Sequence, residues 1–334
     1  MTAELLGTVT TPSGALVIGD MGAFELWSGD RPPVAPDWLV QESPMWATAA
    51  DWVFVGPDAG RAAERYGRQA LTYLYEIPGE FDVPAHVAQV LGEQNLDFTV
   101  EREATRIPHR VRAERAAAAG GAEFIVYGMP FVAVGGLPAD GEFRVYAPPH
   151  PSEPGRLESI QLVVDANGKP SGWRTVGFVG VDWGRLAFID ADALGKWVHN
   201  ESLDGLADLA YWGRDADAVR EAFGGEPLPE GPTAFGWMNR PIPEVEEKAN
   251  AVAAWKREHE AKFAMDFRPH SHHYQVMEQV RRTQPGSGGV SVGGAKMLGF
   301  MTSWGDGAFD VEVAEDAHGR LLAVHLPLNR LAQG

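Results

Sequence analysis

The spacing of apolar and polar positions changes period several times along the chain, and each change marks an expected element. Gly14-Ala-Leu-Val-Ile-Gly-Asp20, continuing to Trp27, has the apolar density of a strand pair, and so does Thr175 to Asp190. Between Ala59 and Tyr75 the residues Ala63, Tyr66, Ala70, Tyr73 and Leu74 recur at helical spacing, which predicts a helix there. A second helix is expected over 243–263. It opens with Pro and acidic residues and carries Lys and Arg toward its end, as the helix dipole prefers. A shorter helix, 271–282, leads into the glycine-rich turn Gly286-Ser-Gly-Gly289. Four short strands then follow, 290–292, 297–302, 308–313 and 321–326, with the turn Asp316-Ala-His-Gly319 between the last two. Sheet strands joined by hairpins, with helices segregated between them, predict an α+β protein rather than a doubly wound sheet.

The pattern also repeats. Gly14 to Trp27 lies on Gly184 to Trp197 without a gap, both reading Gly-x-Leu, then an Asp, an Ala and a Trp at equal distances. Gly120 to Val145 lies on Gly286 to Val311 in the same way, matching Asp140-Gly-x-Phe-x-Val145 with Asp306-Gly-x-Phe-x-Val311. The offsets, 170 and 166 residues, are each near half of the 334-residue chain. An internal duplication accounts for both. It predicts two similar lobes of antiparallel sheet with helical insertions, 1–170 and 171–334, packed as one body about a pseudo-two-fold axis.

Composition narrows the function. Acidic side chains number 46 against 28 basic ones, a formal charge of -18, which argues against nucleic acid and against an anionic membrane surface as partners. A hydrophobic share of 45% with 11 Trp is too apolar for an acidic disordered chain. With no Cys, disulfides, thiolate metal sites and a Cys nucleophile are excluded, and a reducing compartment fits. No basic residue precedes Arg31, so a secretory n-region is absent, and the expected location is cytoplasmic. The preference for Arg, Ala and Gly over Lys has the look of a GC-rich bacterial coding bias.

The glycines at 120–121 and 286–289 do not make a phosphate loop, because Lys296 is followed by Met297 in an expected strand. No Gly-x-Ser-x-Gly elbow is present. His270, His272 and His273 bring three of ten imidazoles into a few residues, a density that suits metal binding. They are also the residues a helix start and a core would use. The repeat aligns them with Ala104, Arg106 and Ile107, so the imidazoles fall in one lobe. Asp20 and Asp190 end matched strands. Each is expected to cap the next helical turn, with a carboxylate pair holding a divalent cation as the functional alternative. Trp304 aligns with Pro138, so the repeated fold does not require this indole, whereas Asp306 belongs to a repeated Asp-Gly turn.

Ser303-Trp-Gly-Asp-Gly307, then Phe309-x-Val311, Asp316-x-x-Gly319 and the apolar strand 321–326, resemble a bacterial family known only as domain of unknown function 4241. Asp140 to Val145, Gly180-Val-Asp182-x-Gly184 and Phe188-x-Asp190 are similar to further segments of it in the same order. No reaction is established for that family, so the resemblance implies an architecture and no mechanism.

Two functions are carried forward. The first is a non-catalytic binding protein, of an immunity or regulatory type, whose acidic surface recognises a basic protein or peptide without a cofactor. The second is a hydrolase of small molecules using a divalent metal on His270, His272, His273 and Asp190. In either case the expected site lies in the second lobe or at its junction with the first, bordered by Trp304, Asp306, His272 and His273.

Overall fold

A computed structural model describes residues 3–67, 72–92, 95–229, 231–284 and 286–328. The first half begins with β1 (Glu4–Thr10) and β2 (Ala15–Asp20), a 3-10 helix (Met21–Leu26) and α1 (Asp37–Glu42). It continues through β3 (Ala50–Val55), α2 (Ala59–Arg65), β4 (Tyr73–Ile77), α3 (Val83–Leu91), β5 (Thr99–Arg102) and α4 (His109–Ala118). It closes with β6 (Ala122–Val126), β7 (Met129–Gly135), β8 (Glu142–Ala147) and β9 (Ser159–Val163). The second half starts with β10 (Gly172–Val181), β11 (Arg185–Asp190), α5 (Ala191–Leu194), β12 (Leu206–Trp212) and α6 (Ala216–Phe223). Next come β13 (Glu226–Pro227), β14 (Ala234–Pro241), α7 (Ile242–Glu258), β15 (Ala264–Pro269) and α8 (His272–Arg282). The last strands are β16 (Ser287–Val292), β17 (Ala295–Met301), β18 (Gly307–Glu315) and β19 (Leu321–Pro327).

The strands form antiparallel sheets with the helices set between them, which is the expected α+β class. Two sheets have six strands, in the orders β1-β8-β9-β19-β18-β10 and β16-β17-β11-β2-β7-β6. Each takes three strands from either half, and the two threes stand in mirrored order. One apolar cluster lies between these sheets and includes Ile18, Phe143, Phe188, Phe300, Phe309 and Val324. Edge-side strands such as β8 alternate buried and exposed residues, whereas the central β2 and β11 are buried almost throughout. That is why Leu16-Val-Ile18 and Leu186-Ala-Phe-Ile189 read as unbroken apolar runs.

Contacts divide the chain elsewhere than at residue 170. One compact unit is Met1–Trp197 with Ser291–Gly334, and the other is Val198–Val290. The first holds the apolar cluster of the six-stranded sheets and a three-stranded sheet, β4-β3-β5, whose own apolar cluster includes Phe54, Ala62, Leu74 and Val87. The second is built on β13-β14-β12-β15, with Val219, Val245 and Val252 of its helices packed on Leu209, Tyr211, Phe235 and Trp237.

Several local expectations change. Met21 to Leu26 is a 3-10 helix rather than a returning strand, because Asp20 accepts the Gly22 N–H at 2.8 Å and starts a turn. The residues expected to pair as β10 with β11 belong to different sheets, as do β1 and β2. The helix predicted to Tyr75 ends at Arg65, and Tyr73 and Leu74 lie on β4; Ala70 falls outside the described residues. Ser287 to Gly289 is strand, not turn. No helix among the described residues is long and apolar enough to cross a membrane.

Candidate functional site

In the unit Val198–Val290 the interior of β12 carries a carboxylate, Asp208, with no exposed surface. The register of β12 against β14 slips between Ala207 and Leu209, and Asn239 there adopts a φ of 54°. Asn tolerates left-handed backbone, and this bulge turns the Asn239 N–H onto Asp208 Oδ1 at 2.7 Å. Ser271 caps α8 by accepting the Tyr274 N–H at 3.1 Å. The first turn of the helix then brings the Tyr274 hydroxyl to 2.5 Å from Asp208 Oδ2, to which it donates. His270 precedes the cap and lies between two carboxylates. Its Nδ1 is 3.0 Å from Asp204 Oδ2 and its Nε2 is 3.1 Å from Asp208 Oδ1. Its ring stacks on Tyr274 at 4.4 Å. Burial opposes the imidazolium, but the two carboxylates outweigh burial and raise the His270 pKa. Burial, reinforced by the bond to Asp208, raises that of Tyr274, so the phenol stays neutral.

The other unit contains the same frame with different side chains. Asp51 on β3 is fully buried, the β3–β4 register slips between Ala50 and Trp52, and Glu76 has a φ of 58°. The Glu76 N–H donates to Asp51 Oδ1 at 2.8 Å, as Asn239 does to Asp208. From α4, Arg112 donates through Nη2 to Asp51 Oδ2 at 3.0 Å and through Nη1 to Glu76 Oε1 at 2.9 Å. Glu76 Oε2 accepts the Gly128 N–H at 3.0 Å, and its Oε1 lies 3.3 Å from His109 Nε2. His109 Nδ1 accepts the Ser28 N–H at 3.0 Å, so the ring proton sits on Nε2 and is donated to Glu76. Burial pushes the His109 pKa down to about 4. Burial alone would raise Glu76, but His109 and Arg112 hold it below its ordinary value; Asp51 is raised by burial, which Arg112 offsets in part.

The sequence-predicted residues divide among these frames. His272, the first residue of α8, accepts the Val198 N–H at Nδ1, 3.0 Å away. His109, the first residue of α4, does the same for Ser28, and Ser28 and Val198 each follow a matched Trp. The counterpart of His272 is therefore His109, not Arg106, and imidazoles occur in both halves. His273 stacks on His199 at 4.2 Å. The three imidazoles thus point to three different tasks, and no group of three or more metal-capable side chains forms among the described residues. Asp190 belongs to the other unit. Its Oδ1 caps α5 through the N–H groups of Asp192 and Ala193, and its Oδ2 accepts the Ser13 N–H and hydroxyl at 2.8 and 2.7 Å. Asp20 mirrors it, holding Gly22 through one oxygen and the Asp182 and Trp183 N–H groups through the other. Trp304 and Asp306 also lie in the unit of Asp190 rather than with the three imidazoles. Trp304 packs on the large core, donates from Nε1 to Leu157 O at 2.8 Å and lies under Arg156. Asp306 is exposed in the turn.

Among the described residues, hollows adjoin both frames. In the larger unit, Leu26, Trp27, Pro32, Val34, Pro36 and Tyr127 line one of about 530 Å³. Its walls Trp27 and Tyr127 rest against the His109 ring at 5.7 and 5.6 Å. In the smaller unit, Asp208 and Tyr274 reach a cavity of about 70 Å³ that also meets Met238, Arg268, Arg281 and Arg282.

Asp51, Glu76, His109, Arg112, Asp204, Asp208, Tyr274 and Arg268 were not singled out from the sequence. A signal existed: Ala50-Asp51, Gly56-x-Asp58-Ala59, Glu64 and Gly67 recur as Ala207-Asp208, Gly213-x-Asp215-Ala216, Glu221 and Gly224, gap-free at an offset of 157. No family model matches the chain, and neither a curated protein nor a solved structure matches it.

Proposed function

We propose that this chain is a non-catalytic binding protein that takes a basic protein or peptide segment on the hollow beside Trp27 and Tyr127. The observation that carries the reading is an apolar, aromatic recess set in an acidic stretch. From Glu25 to Glu42 four acidic residues, Glu25, Asp30, Asp37 and Glu42, accompany one basic residue, Arg31. Val34 and Trp38 in the same stretch are 83% and 43% exposed, unusual for side chains of their size. Aromatic walls anchor an apolar side chain, Glu25 meets the hollow beside Arg31, and the net charge of -18 steers a cationic partner.

The buried acids fit this reading as framework. Asp20, Asp51, Asp190 and Asp208 each accept several donors from their own chain, which is what a fold-holding carboxylate does. The mirrored sheet orders support an internal duplication as the origin of that framework.

The test is a titration followed by tryptophan emission, using a synthetic peptide of alternating Lys and Leu and a Glu/Leu peptide of equal length. Saturable binding of the Lys/Leu peptide alone is expected, with an on-rate that falls as salt shortens the Debye length to about 8 Å at physiological strength. A Glu25→Lys/Asp37→Lys variant should bind it about tenfold more weakly. Equal responses to both peptides, or none at low salt, would overturn the proposal.

A further inference from the structure

The small cavity of the unit Val198–Val290 has a chemistry that the basic-partner reading leaves unused. Its α8 wall presents Tyr274, Glu278 and Arg281, which share a face at spacings of four and three residues, and Arg282 beside them. Opposite them β15 contributes Arg268. Three guanidiniums meet about 70 Å³, beside the carboxylates of Asp208 and Glu278. Arginines at the end of a helix complement its dipole, and that alone explains Arg281 and Arg282. It does not explain Arg268, whose side chain lies on a strand and is only 10% exposed. The matching position in the other unit, just past β5, is Glu103, whose N–H bonds Asp51 O. The guanidinium is therefore not demanded by the frame.

We propose that this cavity binds a phosphate group, free or at the end of a small phosphomonoester. Arginine suits that ligand because its planar fork meets two oxygens at once. Arg268 Nε is held by Asp266 at 2.6 Å and Arg282 Nη2 by Glu278 at 2.7 Å. The Tyr274 hydroxyl, already donating to Asp208, closes the floor. Asp208 does not repel the anion as a bare carboxylate would, because His270, Tyr274 and the Asn239 N–H all bond it. The cavity of about 70 Å³ is small, so only the headgroup enters. The rest of an ester would lie over the exposed Arg281 and Arg282.

The test is calorimetric titration of the full chain with inorganic phosphate, with glycerol phosphate and with acetate, at constant ionic strength set by chloride. Inorganic phosphate is expected to bind one site with a dissociation constant below about 1 mM, and acetate at least tenfold more weakly. Tighter binding of glycerol phosphate assigns the site to an ester, and tighter binding of inorganic phosphate assigns it to the free ion. Arg268→Met should abolish the heat. If that variant fails to fold, the exposed pair Arg281→Ala/Arg282→Ala should still weaken phosphate at least fivefold while leaving the melting temperature in chloride unchanged. Phosphate heats no different from acetate, or unaffected by the Arg281→Ala/Arg282→Ala change, would overturn the proposal. Neither outcome bears on the Lys/Leu peptide, whose proposed seat is in the other unit.

Discussion

Asp51 and Asp208 stand at the same place in two similar frames, each on a central strand beside a register slip. Each accepts the N–H of a left-handed residue, Glu76 or Asn239. Around Asp51 the remaining donors come from Arg112 and Ile107, and Glu76 and His109 complete a cluster in which no member is more than 7% exposed. Around Asp208 they come from Tyr274 and His270, and the group extends outward to the half-exposed Asp204 and to an arginine-lined cavity. One frame has closed into a buried ion cluster; the other reaches the surface. Buried acids of this kind are needed to hold the bulge, and their surroundings decide whether anything else is possible.

The largest expected effect lies in the closed cluster. Arg112→Met leaves Asp51 and Glu76 facing each other without a cation, which should cost about 3 to 5 kcal/mol in denaturant unfolding. A loss under 1 kcal/mol would make the cluster incidental. Tyr274→Phe leaves Asp208 with two other donors, so the expected cost is smaller, about 1 to 2 kcal/mol by the same measurement.

The two imidazoles should respond to pH in opposite senses. The folded pKa of His270 is raised, so its contribution is complete below its unfolded value of about 6.5 and is lost as pH rises through the folded value. The folded pKa of His109 is depressed to about 4, so between about 6.5 and 4 the unfolded chain binds the extra proton and stability falls as pH falls. Hydrogen exchange, corrected for intrinsic rates, should show 270–274 firming and 107–112 loosening on going from pH 7.5 to 5. The same direction in both segments would break the comparison. The smallest effect is expected at Asn239→Gly, which keeps the left-handed backbone and its N–H and should change stability by less than about 1 kcal/mol. Glu76→Gly keeps the same backbone but removes the carboxylate, and should cost distinctly more.

Much of the framework was legible in the sequence. The apolar runs of β2 and β11 and the last strands identify themselves by period, and Asp20 and Asp190 carry out the capping that their matched positions suggest. What failed did so for local reasons. The apolar spacing of α2 runs on into β4, because Tyr73 and Leu74 suit either period until the sheet partner is known. The site residues were hidden by a change of offset. The repeat holds at 170 around Trp27, at 157 around Asp51 and at 163 around His109, so alignment at 166 set His272 against Arg106 and concealed its true counterpart. Trp304, unmatched in the repeat, is occupied in packing and in its bond to Leu157.

The most direct test of the account is hydrogen exchange of the full chain with and without the Lys/Leu peptide, read segment by segment. The account predicts slower exchange over 21–47 and around Tyr127, with 206–212 and 264–282 unchanged. Protection confined to the Asp208 and His270 segments, or found nowhere, would contradict it.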